Sequence, residues 1–373
     1  MAGTRTTITG VRVFDGVETL EGPRTVTVED GVIASVESGP PAGAPAGTVV
    51  DGAGSTLLPG LIDTHAHVHT VEQVERATAW GVTTQLDMGA PHLEDTLSLR
   101  GREGLADLRT AGTPALAPGS GHLAQMGHGP GATVHGPDDA ERFVAERVEA
   151  GSAHIKILLE DPHTPGAVPM PDATAAAVAE AAHRRGLIAI AHVTSVATVL
   201  QAVRAGVDVV THTALTSAPG PELAAELAGR AVTLVPTLGM MRGVIERIGG
   251  LLPPGAPRMD YANALATVAA FRDAGRPVLA GTDANDNPAA PFQLPHGSSL
   301  HEELELLVGA GLDPAAALAA ATGAAADVFG LADRGAVRPG LRADLLLVDG
   351  DPTTDITATR DVRGVWIAGR RTR

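Results

Sequence analysis

Five side chains that commonly bind divalent metals, and one lysine, lie in or at the ends of short apolar segments of this sequence. His65 and His67 lie in LLPGLIDTHAHVH, and their i, i+2 spacing on a strand directs both imidazoles to one face. The others are Lys156 in AHIKILLE, His192 in LIAIAHVTS, His212 in VDVVTHTAL and Asp283 in RPVLAGTDA. Imidazole and carboxylate ligands suit Zn²⁺ and also Mn²⁺, Fe²⁺ or Co²⁺. Because one catalytic zinc uses about three protein ligands, this set predicts two divalent metal ions, most simply Zn²⁺.

Lys156 is the only lysine among the 27 basic residues, and the other 26 are arginine. Burial and nearby metal cations both disfavour an ammonium, so such a lysine is pushed toward its neutral amine. A neutral amine can add CO₂ to form a carbamate, an anionic ligand whose two oxygens could bridge two metals. Arginine stays protonated and cannot react in this way. The alternative is a lysine whose ammonium pairs with an acidic side chain.

The segments that carry these residues belong to a repeating pattern of apolar strand and helix. Eight apolar segments alternate with helix-like stretches such as ATAAAVAEAAHRRG, which indicates a parallel sheet covered by helices. The eight are LLPGLIDTHAHVH, GVTTQLDMG, TPALAPGSG, AHIKILLE, LIAIAHVTS, VDVVTHTAL, AVTLVPTLG and RPVLAGTDA. We therefore predict an α/β fold in which residues 57–335 form a (β/α)₈ TIM barrel. A doubly wound sheet is the competing fold, but no glycine-rich phosphate loop follows an early strand.

The barrel would explain why the candidate ligands occur where they do, because functional groups of such barrels sit at the carboxyl ends of the strands. An isolated histidine in an apolar segment is more often a core residue, and an isolated aspartate at a strand end is often a helix cap. Five such residues at several strand ends favour a shared site.

Both chain ends differ from the middle, because they alternate apolar and polar residues between glycine turns. They predict one small β domain built from residues 1–56 and 336–373.

Composition excludes several classes of function. The formal net charge is −16, and this disfavours nucleic-acid binding, which needs clustered cations. The chain has no cysteine, so disulfides and thiolate metal sites are excluded. No stretch of about 18 apolar residues and no signal peptide is apparent, so we expect no membrane association and a cytoplasmic location. We expect a small-molecule substrate and a homo-oligomer.

As a set, the motifs resemble the binuclear metal branch of the amidohydrolase superfamily. The matching features are HxH on strand 1, lysine on strand 4, histidines on strands 5 and 6, aspartate on strand 8, and the flanking DGAGSTLLPGLIDTHAH and GAVRPGLRADLLLVDGDP. The resemblance implies a metal-dependent hydrolase with a small β-sandwich beside the barrel. It also implies that His65, His67 and Asp283 hold the more buried metal and that His192 and His212 hold the more exposed one. Carboxylated Lys156 and a hydroxide would bridge the two.

Within the superfamily, the prolidase-like and imidazolonepropionase-like members are the most similar. Mononuclear deaminases carry HxxE on strand 5, whereas this chain reads His192-Val193-Thr194-Ser195, which disfavours base deamination. Prolidase-like members typically read EHG at strand 6, whereas this chain reads Thr211-His212-Thr213. The ligand is retained, but its neighbours differ.

The resemblance and the ligand set together predict a mechanism. Metal lowers the pKa of bound water from 15.7 to about 7, so that hydroxide attacks a carbonyl while Asp283 carries the proton to the leaving group. Substrate contacts should come from the loops after the strands. The candidates for these contacts are His122, Gln125, His128, Arg242 and His296.

We predict that the enzyme hydrolyses an amide, peptide-like or cyclic amide C–N bond. The substrate would carry a non-peptide C–N bond or be a dipeptide. The same site could instead catalyse cyclodehydration, or ester or lactone chemistry, in a small-molecule or natural-product pathway. A third possibility is a metal-binding scaffold without catalysis.

Overall fold

A computed structural model describes residues 5–41, 43, 47–164, 166–251 and 257–373, with all their side chains except those of Ala124 and Gln125. The strands of this part are β1 Arg5–Val13, β2 Arg24–Glu29, β3 Val32–Ser38, β4 Thr48–Asp51, β5 Ser55–Pro59, β6 Leu61–Ala66, β7 Val82–Asp87, β8 Asp107–Thr110, β9 Ile155–Leu158, β10 Ala189–His192, β11 Val209–Thr211, β12 Thr233–Val235, β13 Leu345–Asp349, β14 Val362–Ile367 and β15 Arg370–Arg371.

The α-helices of the same part connect and cover these strands. They are α1 Val71–Ala79, α2 Leu93–Ser98, α3 Gly121–Gln125, α4 Ala140–Glu149, α5 Asp172–Arg184, α6 Val196–Ala205, α7 Pro221–Gly229, α8 Leu238–Ile248, α9 Tyr261–Asp273, α10 Ser298–Gly309, α11 Pro314–Ala320 and α12 Gly323–Val328. Among the described residues, none of the helices combines the length and apolarity needed to span a bilayer.

The two chain ends meet in one eight-stranded sheet. Its order is β15-β14-β13-β5-β1-β2-β3, with β4 paired to β1. β13 runs antiparallel to β5, so a strand from near residue 350 is hydrogen-bonded to one from near residue 57. Ile8, Val26, Leu57, Leu345 and Trp366 are fully buried or nearly so in one apolar cluster. Both ends thus share one sheet, while the domain boundaries at residues 56 and 336 stay predictions.

The middle of the chain forms two parallel sheets, β6-β7-β8 and β12-β11-β10-β9. Isolated parallel bridges extend them: Ala115 pairs with Ile157, Leu234 with Val278, and Ala66 with Ala284. β9 to β12 are almost entirely buried, as the continuous apolar segments predict. Helices such as α5 pack buried Ala175, Val178 and Ala182 against this layer.

Two of the eight predicted strands are not regular strands. In TPALAPGSG only Ala115 and Leu116 form bridges, and the strand of that unit is β8, earlier in the chain. Pro114 and Pro118 lack the backbone donor that a central strand needs, which explains the interruption. In RPVLAGTDA only Val278 and Ala284 form bridges.

The second of these segments ends in a turn rather than a ladder. Asp283 has φ of 59°, a left-handed conformation that aspartate tolerates better than most residues. The backbone N–H groups of Thr282 and Asp283 both donate to the carbonyl of His65, at 3.1 and 2.7 Å. The turn therefore brings Asp283 beside the end of β6.

Candidate metal centre

The carboxylate of Asp283 lies among three imidazoles. Its Oδ1 is 3.1 Å from Nε2 of His67 and 3.3 Å from Nε2 of His65. Its Oδ2 is 3.8 Å from Nε2 of His212. Donor atoms of His65, His212 and Asp283 all lie within 4.8 Å of one another, which is close enough for one cation to contact all three.

Two more of the candidate residues complete the group. The ring centroids of His192 and His212 are 4.9 Å apart, and those of His65 and His212 are also 4.9 Å apart. Lys156 is buried and lines the same cavity. Burial lowers the pKa of Lys156 to about 7, although Asp283 and Asp87 oppose this change. Burial therefore favours the neutral amine of Lys156.

In three of these histidines, Nδ1 lies within hydrogen-bonding distance of an oxygen atom, either a threonine hydroxyl or a backbone carbonyl. Nδ1 of His65 is 2.8 Å from Oγ1 of Thr211, and Nδ1 of His212 is 2.5 Å from Oγ1 of Thr237. Nδ1 of His67 lies 3.4 Å from the carbonyl oxygen of Gly89. When Nδ1–H donates to these oxygens, each Nε2 presents a lone pair toward Asp283. Neutral imidazole with its second nitrogen held in this way is the usual arrangement of a metal-binding histidine.

The donor set fits divalent metal ions. It offers four imidazoles, one carboxylate and one lysine, most of them buried, with nitrogen and oxygen as the donor atoms. Burial lowers the pKa of His212 to about 4, so this side chain is neutral and able to ligate near neutral pH. Such ligands suit Zn²⁺, Mn²⁺, Fe²⁺ or Co²⁺ more than Ca²⁺ or Mg²⁺.

A buried carboxylate fixes the distance between β6 and the Asp283 turn. Asp63 is fully buried and accepts hydrogen bonds from Oγ1 of Thr282 at 2.7 Å, N of Thr282 at 3.0 Å and N of His65 at 3.2 Å. Burial raises its pKa to about 7 in spite of these bonds. Asp63 was not among the predicted site residues, and its place two residues before His65 on an inward-facing strand was the available signal.

Removing the hydroxyl that contacts His212 should weaken metal binding. We expect Thr237→Val to lower metal affinity by about 10–100-fold, because the imidazole loses the acceptor that fixes its ring and tautomer. Thr237→Ser keeps a hydroxyl at the same position and is the matched control. Affinity is measured by competition with a coloured chelator. Equal affinities for the valine and serine variants would contradict this role.

The cavity above these residues has a volume of about 270 Å³, which suits a small molecule. Two predicted substrate residues, His122 and His128, line it. Nδ1 of His122 lies 2.5 Å from Oε1 of Glu160, a buried side chain that also lines the cavity. Burial lowers the pKa of His128 to about 4. Glu160, which was not predicted, follows β9 closely and could have been identified from its place at a strand end.

Other predicted substrate residues lie elsewhere or cannot be described. Arg242 is on α8 and forms an ion pair with Glu302, outside the cavity lining. His296 is buried with Nδ1 3.2 Å from Nε2 of Gln85, and it is not among the lining residues either. Gln125 ends α3, but its side chain lies outside the described part of the structure.

Known proteins are similar to this chain in sequence and in fold. The model of the amidohydrolase family matches residues 56–372. An uncharacterised protein of Mycobacterium tuberculosis is 32% identical over 326 residues, which is 82% of each chain. The enamidase of Eubacterium barkeri is 28% identical over 363 residues, covering 92% of this chain and 85% of the enamidase.

Among solved structures, a Xaa-Pro dipeptidase with methionine in its active site superposes with a TM-score of 0.82. The two are 20% identical, and the superposition covers 99% of this chain and 100% of the dipeptidase. At this identity the likeness concerns the fold, which is a TIM-barrel-like α/β fold. Together with the family match over most of its length, these similarities show that the chain belongs to the amidohydrolase family.

Proposed function

We propose that this protein is a binuclear metal-dependent enzyme that hydrolyses a C–N bond of a small-molecule amide. The observation that carries the proposal is the meeting of His65, His67 and His212 around Asp283, with His192 and Lys156 in the same cavity. Five such ligands exceed what one metal needs. The relationship to an enamidase and the fold of a dipeptidase are consistent with C–N bond hydrolysis.

Lys156 would supply the bridge between the two metals. Its neutral amine would attack CO₂, forming an N–C bond and releasing one proton, to give a carbamate anion. Its burial and its pKa of about 7 favour the neutral amine that this reaction needs. His65, His67 and Asp283 would hold the more buried metal, and His192 and His212 the more exposed one.

The chain's own residues would then position the substrate and move the proton. Divalent metal bound here would lower the pKa of water to about 7 and polarise the substrate carbonyl. Asp283 would accept the proton of the attacking water and return it to the leaving nitrogen. His122, held by Glu160, faces the same cavity and would hydrogen-bond the substrate.

The relatives favour hydrolysis over the two alternatives. The related enamidase and the dipeptidase neighbour are both named for C–N bond chemistry, and among the described residues of the site no feature favours cyclodehydration or ester cleavage. A scaffold without catalysis would not require an open cavity over the ligands. We further infer that the parallel strands close an eight-stranded barrel, with the sheet of the chain ends forming the β-sandwich beside it.

Metal analysis together with an amide hydrolysis screen tests the proposal. Protein purified without chelator should contain about two divalent metals per chain by mass spectrometry, and amine release from amides and lactams should be metal-dependent. Dialysis against a chelator should abolish turnover, and added Zn²⁺, Mn²⁺ or Co²⁺ should restore it. Protein without metal, or turnover that survives removal of the metal, would overturn the proposal.

A further inference from the structure

Methionine side chains contribute much of the apolar lining of the cavity over the candidate metal centre. Of the seven methionines in the sequence, five line this cavity. They are Met88, Met126, Met240, Met241 and Met259, and we call these five lining residues the methionine wall. Leu158, Leu215, Val244 and Ile248 continue the same apolar lining. Thioether side chains adapt their shape and make favourable contacts with both aliphatic and aromatic groups.

The lining residues include no arginine, and Lys156 is their only lysine. The residues outside the described part of the chain contain neither lysine nor arginine in the sequence. Two arginines lie close in sequence to the methionines of the wall. Arg242 is paired with Glu302, and Arg258 is exposed. Away from the proposed metals, a substrate carboxylate in this cavity would therefore find no arginine, and no lysine except Lys156, which the proposed function converts to a carbamate.

Two acidic side chains in the cavity lining also disfavour a substrate carboxylate. Glu160 and Asp161 are both buried and both line the cavity. In the part of the chain that the structure describes, neither contacts an arginine or a lysine: Glu160 bonds to His122 and to the backbone N–H of Val168, and Asp161 bonds to His163. An anionic group entering beside them would lose hydration and meet like charge, which is costly without a compensating cation.

We propose that the substrate is an uncharged amide whose apolar group packs against the methionine wall, and that a carboxylate on that group is excluded. This inference rests on the proposed hydrolase function and names its substrate class. The inference excludes dipeptides as preferred substrates, because a dipeptide carries a free carboxylate close to its scissile bond. The apolar group can be aliphatic or aromatic, since thioethers contact both.

Matched anilides test the charge preference on the same scissile bond. Hexananilide is compared with the monoanilide of adipic acid, in which a carboxylate replaces the terminal methyl group of the acyl chain. The 6-hydroxyhexananilide is the polar but uncharged control. We expect kcat/KM for hexananilide to exceed that of the acid by about 30-fold or more, with the alcohol much closer to hexananilide. Equal values for hexananilide and the acid would overturn the inference.

A cation placed at the cavity wall should reduce this difference. Thr216 lines the cavity and is half-buried, so Thr216→Arg introduces a guanidinium there, and Thr216→Met is the neutral control of similar bulk. We expect the ratio of the two kcat/KM values to fall by about 10-fold in the arginine variant and to stay near the wild-type ratio in the methionine variant. Circular dichroism checks that both are folded. An unchanged ratio in folded Thr216→Arg would overturn a charge-based exclusion.

Binding of inhibitors separates this inference from the hydrolase proposal. Calorimetry compares hexanoyl hydroxamate with the monohydroxamate of adipic acid, each of which carries the same metal-binding head. Preference for the neutral compound without turnover of any amide would retain the inference and overturn the hydrolase. Turnover of neutral and acidic anilides at equal rates, with equal hydroxamate affinities, would retain the hydrolase and overturn the inference.

Discussion

Asp283→Asn is expected to reduce kcat by about 10³-fold while the protein stays folded, because an amide cannot accept and return the proton of the attacking water. The substitution keeps the size of the side chain and tolerates the left-handed backbone at this position, where φ is 59°. The amide oxygen can still face Nε2 of His65 and His67, which lie 3.3 and 3.1 Å from the native carboxylate. The loss should therefore appear in kcat much more than in thermal stability.

Asp286→Asn is the matched control for this variant. Asp286 lies three residues away, is half-exposed, and pairs with Arg76 and Gln73 rather than with the candidate ligands. It should retain kcat within about two-fold, since an exposed pair contributes little. Metal content is measured on the same samples, because Asp283 is also a candidate ligand. Near-wild-type kcat in Asp283→Asn would contradict the proton-transfer role, whatever the metal content.

The sequence predicted best those parts of the fold whose signals are local. β9 and β10 are short buried strands that end near Lys156 and at His192, as their apolar segments indicate. The segment that contains Asp283 forms only isolated bridges instead of the predicted regular strand, because the backbone N–H groups at its end, those of Thr282 and Asp283, bond to Asp63 and His65. Those partners lie more than 200 positions away, and no local pattern reveals such a distant contact.

Within the candidate site, too, local signals were predicted from the sequence, whereas contacts between distant residues were not. The types of the six residues and their positions in apolar segments were enough to predict that they could share a site. The hydroxyls of Thr211 and Thr237 were not predicted, since threonine is common in strands and its contact with a histidine depends on three-dimensional geometry. The methionine wall was missed for a related reason. Its five members come from four separate places along the chain and meet only in the folded protein.

Substitution of Lys156 should change the metal content most. We expect Lys156→Met to lose about one of two metals per chain and about 10²–10³-fold in kcat, because methionine fills similar space but cannot form a carbamate. Lys156→Arg should lose more metal than Lys156→Met, since a permanent guanidinium would repel cations at the cavity floor. Metal is counted by mass spectrometry beside a measurement of unfolding, which separates loss of ligation from loss of fold.

A labelling experiment distinguishes the carbamate from a lysine that acts as an ammonium. Lys156 is the only lysine in the sequence, so ¹³C-bicarbonate can label one side chain and, besides it, only the α-amino group. Wild-type protein loaded with metal should show a ¹³C carbamate resonance that is absent from Lys156→Arg, and should carry one CO₂ more in its native mass. A signal common to both proteins would come from the α-amine. If wild-type binds two metals without a lysine-dependent signal, the bridge is not a carbamate and Lys156 acts as a charged or hydrogen-bonding group.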